Sequence, residues 1–400
     1  MVRHITRLII AAAVFTAPIA AISQHESHSE GNHEEVVNSH DDQHHETSHE
    51  NIHDTSYDAG HGDSHYQDEE HGHEEKFVAG DFIMHHIADA NEIHFFGDVS
   101  APLPMIIFVE GKGLDVFMSS DFHNEHGGHG GHGPTYATGP STGVEYTKDE
   151  NGISAKDRGE EVAIWDISIT KSVFGMLVIL SLMILMLRSA AKSYARRPGQ
   201  APIGLANVLE PLILFVRDDI AYPIIGKHKA DKFVPFLLTT FFFIVGCNLL
   251  GLIPFAGGFN ITGTMGVTIV LATLVFIITS INGNKHYWGH LVSPPGVPFL
   301  VKFIVVPIEL FGIILKPTVL MIRLTANMSA GHIIILSFVS LVFIFNNSYG
   351  AAGGVGIGVF STLFMIFMYF LELLVAFLQA YVFTLLAAIY FSEATQEPHH

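Results

Sequence analysis

Residues 316–346, KPTVLMIRLTANMSAGHIIILSFVSLVFIFN, decide the fold and point to the function of this chain. The stretch contains Arg323 but is otherwise apolar over more than the about 20 residues that a membrane span needs. Burial cannot neutralise an arginine, and placing one near the membrane centre costs roughly 2.5–3.5 kcal/mol. Arg323 is therefore predicted to face water or a carboxylate at a functional site. The alternative is an arginine that reaches the membrane surface or pairs with a static carboxylate.

The 400-residue chain divides into a polar front part and an apolar rear part. Its formal net charge of −19 comes largely from the front part, and this acidic excess argues against nucleic acid as a partner. The single cysteine, Cys247, excludes an intrachain disulfide and a cysteine-based metal cluster. The sequence has no Gly-rich phosphate loop ending in Lys-Ser or Lys-Thr, so we expect neither a nucleotide site nor a cofactor.

Residues 1–23 have the pattern of a secretory signal peptide. Arg3 and Arg7 precede an apolar core that small residues follow. The core of about 14 residues is too short to cross about 30 Å of hydrocarbon, which disfavours a membrane anchor. The pattern predicts export of the next segment across a bacterial inner membrane.

Residues 24–76 form a low-complexity segment rich in His, Asp and Glu. Such a segment cannot bury enough apolar surface to offset its chain entropy, so it is predicted to be disordered. Two roles stay open. The segment could bind metal or buffer protons, because imidazoles and carboxylates suit Zn, Cu or Ni, or it could be a solvated spacer.

Residues 77–163 are predicted to form a small mixed extension domain in the periplasm. The stretch PMIIFVEGKGLDVFMSSDF alternates as a β-hairpin does, with Gly111–Gly113 at the turn. The loop HGGHGGHG follows and places His126, His129 and His132 close together, a weak candidate metal site. The sequence does not reveal the role of this domain.

Residues 164–400 are predicted to form an all-α polytopic membrane domain with about five transmembrane helices. The predicted spans are 169–187, 233–252, 260–281, 298–345 and 353–392. An amphipathic helix is expected on the cytoplasmic surface at 206–216 and a cytoplasmic loop at 282–296. Four basic residues in RSAAKSYARRPG, just beyond the first span, predict by the positive-inside rule that the N-terminal region is periplasmic and the C-terminus cytoplasmic.

Four charged residues, Lys302, Glu309, Lys316 and Arg323, follow one another at intervals of seven. Seven residues are nearly two helical turns, so these side chains share one stripe of a helix that its two prolines are expected to kink. A charged stripe inside a membrane suggests a hydrated path from the cytoplasm. The alternative, for the part before Pro317, is an amphipathic surface helix.

The last two segments are predicted to pair as an antiparallel hairpin around the linker NNSYGAAGG. Arg323 then faces Gln379 and His332 faces Glu372, because the midpoint of each pair falls inside the linker. A histidine that faces a glutamate inside a membrane favours a proton relay over a satisfied core histidine.

Together these groups predict a device that conducts protons. His332 and Glu372 would pass protons in from the periplasm, and the charged stripe would lead them out to the cytoplasm. Arg323 lies between and repels a proton that takes the direct route. It also attracts a passing carboxylate and lowers the pKa of that group, which forces proton release. The chain offers no mobile carboxylate, so a partner must supply one.

The segment RLTANMSAGHIIIL, which begins at Arg323, resembles the Arg-Leu-x-x-Asn-Met-x-x-Gly pattern of subunit a of the F-type ATP synthase. NLLGLIP at 248–254 and FLQAYVFTLLAAIYFSEA at 377–394 are also similar to that family. The resemblance covers residues 165–395. The His-rich front part is not in the common core of the family, so the resemblance says nothing about its role.

The resemblance implies that Arg323 is the essential stator arginine and Gln379 its partner. It implies that the periplasmic half-channel is lined by Asn327, His332 and Glu372. Glu309 falls where the family carries a carboxylate on the cytoplasmic route. In some bacterial members the acid lies on the arginine helix and the histidine on the last helix, and here the two are exchanged.

The implied partners are the ring of c subunits, a b-type peripheral stalk, the other ATP synthase subunits and the lipid bilayer. The chain would conduct protons as a multi-pass subunit of the cell inner membrane and would be catalytic only within the whole rotary enzyme.

Two other functions compete with this one. A metal-ion transporter would explain the histidines, but such proteins need several converging ligands inside the membrane. A structural anchor would pair Arg323 with Glu372, whereas the hairpin aligns Arg323 with Gln379.

Overall fold

The computed structural model has a β domain followed by a helical domain. The described residues are 80, 83, 87–96, 99–123, 134–149, 152–253, 258–292 and 298–396. The predicted signal peptide, the His-rich segment and the loop with His126, His129 and His132 lie outside them.

The strands of the β domain are short and pair antiparallel. In chain order they are β1 (Glu92–Phe96), β2 (Val99–Pro102), β3 (Pro104–Val109), β4 (Gly113–Met118), β5 (Thr135–Thr138), β6 (Glu145–Asp149), β7 (Gly152–Asp157), β8 (Glu160–Glu161) and β9 (Ile164–Asp166). They form a β1-β2 ribbon and two sheets, ordered β4-β3-β9 and β5-β6-β7-β8. The two sheets share one apolar core, which includes Met105, Ile107 and Tyr146.

The predicted hairpin is confirmed by the pairing of β3 with β4. Pro104 lies opposite Met118 at one end and Val109 lies opposite Gly113 at the other. Gly111 has a φ of 78°, a conformation that side-chain-bearing residues seldom adopt, so glycine suits the turn.

Asp115 of β4 is a buried hydrogen-bond acceptor within the β domain. The Ser141 amide donates to it at 2.8 Å, the Tyr146 hydroxyl at 2.6 Å, and the Thr142 amide at 3.0 Å. The Thr142 hydroxyl is a fourth donor. Burial alone would raise the pKa of Asp115, but these hydrogen bonds outweigh it and hold the pKa below its usual value.

Asp115→Asn is expected to lower the free energy of unfolding of the β domain by about 3 kcal/mol, because it leaves buried donors without a charged acceptor. The stabilisation by the Asp115 carboxylate is fully present when the pH is above the ordinary aspartate pKa of about 4. It is lost as the pH falls through the lower pKa that Asp115 has in the folded state. Amide hydrogen exchange of the full chain in detergent measures the effect on β5 and β6.

Asp157→Asn is the matched control for this change. Asp157 forms an ion pair with Lys112 at 2.7 Å, with both side chains partly exposed, and such pairs contribute less than about 1 kcal/mol. Equal rates of amide hydrogen exchange in the two variants would mean that the hydrogen bonds to Asp115 do not stabilise the β domain.

The helices of the rear domain run from Lys171 to Thr395. They are α1 (Lys171–Arg196), α2 (Leu205–Leu214), α3 (Tyr222–Ile225), α4 (Lys227–Leu252), α5 (Met265–Asn282), α6 (Lys285–Val292), α7 (Val301–Gly350) and α8 (Gly354–Thr395). A π-helical turn, Phe215–Ala221, joins α2 to α3. Within the part of the chain that the structure describes, five helices are long and apolar enough to cross a membrane: α1, α4, α5, α7 and α8.

The bend between the last two helices lies at Gly350, with φ 68° and ψ −171°, inside the predicted linker. Helical structure continues through Pro307 and Pro317. Membrane helices tolerate proline because neighbouring groups satisfy the freed carbonyls. The predicted loop at 282–296 is partly wrong, since α6 lies within it.

Helices α7 and α8 lie side by side and run in opposite directions. The Phe338 and Phe364 rings, one from each helix, are 4.2 Å apart between centroids, and Gly354 packs against Asn346 near the bend. At 1.5 Å per residue α7 is about 75 Å long and α8 about 63 Å. Both are far longer than the hydrocarbon thickness of a bilayer.

The β domain is packed onto the end of the helical domain. Ile93 and Leu103 belong to the same apolar core as the membrane helices. The backbone amide of Lys171 donates to the Ala90 carbonyl at 2.7 Å, and that of Ser172 donates to Asp89 at 2.9 Å. The start of α1 is therefore held by residues that precede the sheets.

Candidate functional site

Helix α7 has one face packed against the other helices. Leu320, Leu324 and Met328 are buried on this face. The Thr325 hydroxyl lies 2.6 Å from the Thr268 hydroxyl of α5. These contacts fix the rotation of α7 about its axis, and with it the direction of every polar side chain on the helix.

Arg323 and Asn327 lie on the open side of α7, beside this packed face. Both are exposed, as are their neighbours Ile322, Ala326 and Ala330. Asn327 is one helical turn from Arg323, so the two polar side chains project in a similar direction. The guanidinium therefore sits on an apolar surface that the other helices of this chain leave open.

Gln379 of α8 is buried, with 7% of its surface exposed. The described residues show no hydrogen bond between Arg323 and Gln379, so their pairing stays a prediction.

The structure brings His332 and Glu372 together. His332 Nδ1 lies 3.5 Å from Glu372 Oε1 and 3.1 Å from the carbonyl oxygen of Met328. Glu372 is buried, with 7% of its surface exposed. Neither of its carboxyl oxygens has a hydrogen-bond donor among the described residues. Buried oxygens without a donor are uncommon in folded proteins and call for an explanation.

Two glycines make the space that this pair occupies. A Cβ atom at Gly331 would overlap the Glu372 carboxylate. A Cβ atom at Gly251 of α4 would come within 2.6 Å of the Met328 side chain and 3.5 Å of the His332 ring. The approach of α8 and α4 to this part of α7 therefore depends on residues without side chains.

Glu309 and Lys316 meet titratable partners from neighbouring helices. His290 Nδ1 of α6 lies 3.7 Å from Glu309 Oε2. Lys316 forms an ion pair with Glu393 of α8. A second polar cluster therefore lies on the other side of Arg323 from the His332–Glu372 pair.

A cleft opens beside Lys316 where α5, α6, α7 and α8 meet. Its lining includes Thr279, Tyr287, Lys316, Pro317, Tyr390 and Glu393. The Lys316 ammonium lies 5.4 Å from the centre of the Tyr390 ring, so aromatic and charged side chains share the cleft.

The two polar clusters lie towards opposite ends of α7, with Arg323 between them. At 1.5 Å per residue, His332 is about 14 Å from Arg323 along the helix and Lys316 about 11 Å. The His332 end faces the β domain: Ser329 donates to the Gly263 carbonyl at 3.3 Å, and the neighbouring Thr264 lies 3.3 Å from Ser172 at the start of α1.

Sequence reasoning missed Gly331, His290 and Glu393. Glu372 and Gln379 are seven residues apart, and Glu393 lies fourteen residues beyond Gln379. The seven-residue spacing could therefore have indicated Glu393. His290 was assigned to a loop and has no sequence signal beyond its residue type. The contact of Gly331 with Glu372 depends on the packing of α7 against α8, which spacing alone does not give.

The structure offers no support for a metal centre in the part of the chain that it describes. No group of three or more His, Cys, Asp or Glu side chains there is arranged to hold a metal ion. The candidate ligands His126, His129 and His132 lie outside that part, so the weak candidate site stays a prediction.

Each of the two domains matches a different known protein family. Residues 172–392 match the family model described as ATP synthase A chain. Residues 82–167, which cover the β domain, match a domain of unknown function, DUF8433.

Relatives named as subunit a of ATP synthase match the chain over long stretches. ATP synthase subunit a 2 of Chlorobaculum tepidum is 47% identical over 59% of this chain and 65% of its own length. Subunit a of Chloroherpeton thalassium is 40% identical over 60% of this chain and 70% of its own length. Subunit a of Chlorobium phaeobacteroides strain BS1 is 34% identical over 80% of this chain and 78% of its own length.

The five apolar helices and the relatives of this chain together identify it as a multi-pass protein of the inner membrane. The chain belongs to the ATP synthase A chain family. Membership supports a part in ATP synthesis and proton transport within the membrane sector of that enzyme, and it implies other ATP synthase subunits as partners.

Proposed function

We propose that this chain conducts protons through two half-channels that are separated by Arg323 and joined by the carboxylates of a rotating c-subunit ring. The observation that carries the proposal is the contact of half-buried His332 with buried Glu372, 3.5 Å apart, with a second polar cluster on the other side of the arginine. The chain would be catalytic only as part of the whole enzyme.

The entry half-channel is formed by His332 and Glu372. Histidine has the ordinary side-chain pKa nearest to neutral pH, and a carboxylate at 3.5 Å comes within hydrogen-bonding distance of it by moving about 0.3 Å closer. The Glu372 oxygens have no fixed donor among the described residues, which suits a group that repeatedly gains and loses a proton. Asn327, one turn from Arg323, would extend this path to the open face of α7.

Arg323 separates the two halves by charge. It is permanently protonated, so it cannot relay a proton, and it repels one that approaches along α7. Its exposed position lets it meet a carboxylate from a partner and stabilise the ionised form. Gln379, buried on α8, would orient the arginine between encounters with successive ring carboxylates.

The exit half-channel runs along Lys316 and Glu309. The cleft beside Lys316 and Glu393 provides the opening, and His290 extends it towards Glu309. This region contains two carboxylates, an imidazole and an ammonium group, which can hold water and mobile protons.

The arrangement in the membrane follows from the basic residues after α1. We place the β domain in the periplasm and the C-terminus in the cytoplasm. The open face of α7 would meet the c ring, and a b-type peripheral stalk would hold the chain against rotation. The lipid bilayer would cover the remaining apolar surface.

Exchanging the two relay groups tests the proposal. Glu372→His combined with His332→Glu is expected to retain more ATP-driven proton pumping in inverted membrane vesicles than either single change. The double variant keeps one imidazole and one carboxyl in contact, whereas each single variant pairs two like groups.

Assembly of the variants is checked by the amount of the chain in purified complexes. If the double variant pumps no better than the single variants at equal assembly, the two residues do not act as a pair. A metal-ion transporter, the alternative function, would instead show metal uptake that the exchange alters.

A further inference from the structure

The outer face of the β4-β3-β9 sheet is apolar at every position. The outward side chains of this sheet form three rows, as the strand pairing shows. Beyond β9, backbone hydrogen bonds from Ile167 and Ile169 to β3 continue the pairing. The rows are Met118, Pro104 and Ile169; Val116, Ile106 and Ile167; and Leu114, Phe108 and Trp165. Each row crosses the sheet from β4 through β3 to β9. We call these nine residues the apolar sheet face.

The described residues leave much of the apolar sheet face open. Trp165 is 68% exposed, Ile167 55% and Val116 53%. Phe108, Leu114 and Met118 are also exposed. Monomeric soluble domains rarely leave so continuous an apolar surface uncovered.

The other sheet of the β domain provides an internal comparison. Its outward positions along one row are Thr138, Glu145, Lys156 and Glu161, paired across β5, β6, β7 and β8. These four residues are exposed and polar. One side of the domain therefore has the composition of a water-facing surface, and the other side does not.

The apolar sheet face lies next to the membrane boundary. Ile169 directly precedes the cap of α1, and the first basic residue beyond the span is Arg188. The separation of these two residues along a helix is about 29 Å, which matches the hydrocarbon thickness of about 30 Å. The first row therefore lies at the hydrocarbon boundary, and the third row lies about 13 Å further along the strands.

The face is close in sequence to exposed apolar residues of a membrane-spanning helix. Phe174, Leu177 and Val178, in the first turns of α1, are exposed large apolar residues. Only the cap of α1 separates them in sequence from Ile169. Tryptophan is enriched in membrane proteins at the level of the lipid headgroups, which Trp165 reaches when the strands are inclined to the membrane normal.

We propose that the apolar sheet face is inclined towards the bilayer and contacts phospholipids of the leaflet on the side of the β domain. The first row lies at the boundary between headgroups and acyl chains, and Trp165 in the third row is the outermost anchor. The polar sheet then faces water. This role is additional to proton conduction and does not depend on it.

Photo-crosslinking in membranes that contain the assembled enzyme tests this proposal. Trp165→benzoylphenylalanine is expected to give a phospholipid adduct of the chain after irradiation, detected by mass spectrometry. The matched control is Tyr136→benzoylphenylalanine, because Tyr136 is also an exposed aromatic residue but lies on the polar sheet. We expect at least about tenfold less lipid adduct from the control.

Each outcome decides the question. A crosslink from position 165 to another protein would show that a subunit covers the face, and the absence of any adduct would show that water does. Equal lipid labelling at position 136 would show that the adducts are not specific to the face. Leu114→benzoylphenylalanine gives a second reading on the same row if the first variant fails to assemble.

Discussion

Replacing Arg323 with alanine is expected to reduce ATP-driven proton pumping in inverted membrane vesicles to background. An arginine about 4 Å from a carboxylate interacts with it by about 4 kcal/mol at an effective dielectric constant of 20. That energy corresponds to about a thousandfold change in proton affinity, so without it a ring carboxylate keeps its proton as it passes. Quenching of a pH-sensitive dye on addition of ATP measures the loss.

The same variant is expected to leak protons passively when the soluble ATPase sector is stripped from the vesicles, because no fixed charge separates the two half-channels. Arg217→Ala serves as the control. Arg217 lies outside the membrane-spanning helices and pairs with Asp218 at 2.8 Å, so pumping should be unchanged. Undiminished pumping in Arg323→Ala at normal assembly would mean that the arginine is structural, and the proposed mechanism would not hold.

Gly331→Ala is expected to lower pumping by about 10–100-fold, because displacing a reacting group by about 1 Å costs this much in well-positioned sites. The added Cβ atom would overlap the Glu372 carboxylate and force it away from His332. Initial rates of ATP-driven pumping measure the change. A further variant, Gly331→Ala with Glu372→Asp, draws the carboxylate back by one methylene group and should recover part of the rate.

Gly312→Ala is the matched control for this substitution on the same helix. A Cβ atom at Gly312 meets nothing within 4 Å. Alanine favours a helix over glycine by about 1 kcal/mol, so both variants gain the same backbone stabilisation. Only the overlap with Glu372 distinguishes them, and equal pumping in the two variants would show that the space beside Gly331 is not needed.

Much of what the sequence could predict came from the lengths of its apolar runs and from the spacing of its polar residues. The apolar runs located α1, α4, α5, α7 and α8, because a membrane span needs about 20 mainly apolar residues, but the predicted end of α1 lies nine residues before Arg196. The contact of His332 with Glu372 followed from numbering alone, since two helices that pair around a fixed turn meet at positions equidistant from it. The β-hairpin around Gly111 followed from alternation and a turn signal.

Features that depend on three-dimensional packing could not be predicted in this way. Helix α6 was missed because its eight residues are too few to show a clear period, and His290 was missed with it. The contact of Lys316 with Glu393 required the relative position of α7 and α8 at the end far from their turn, where small deviations from a straight hairpin accumulate. The composition of the two outer sheet faces became visible only once the strand register was known.

The length of α7 has a consequence for the direction of transport. A helix of about 75 Å fits within a membrane of about 45 Å, headgroups included, only when it is inclined by about 50° or more from the membrane normal. His332 and Lys316, which lie on either side of Arg323 on this slope, are then displaced sideways by more than they differ in depth. In the proposed mechanism a proton that enters at one and leaves at the other would travel along the plane of the membrane, and the rotating ring would supply that lateral motion.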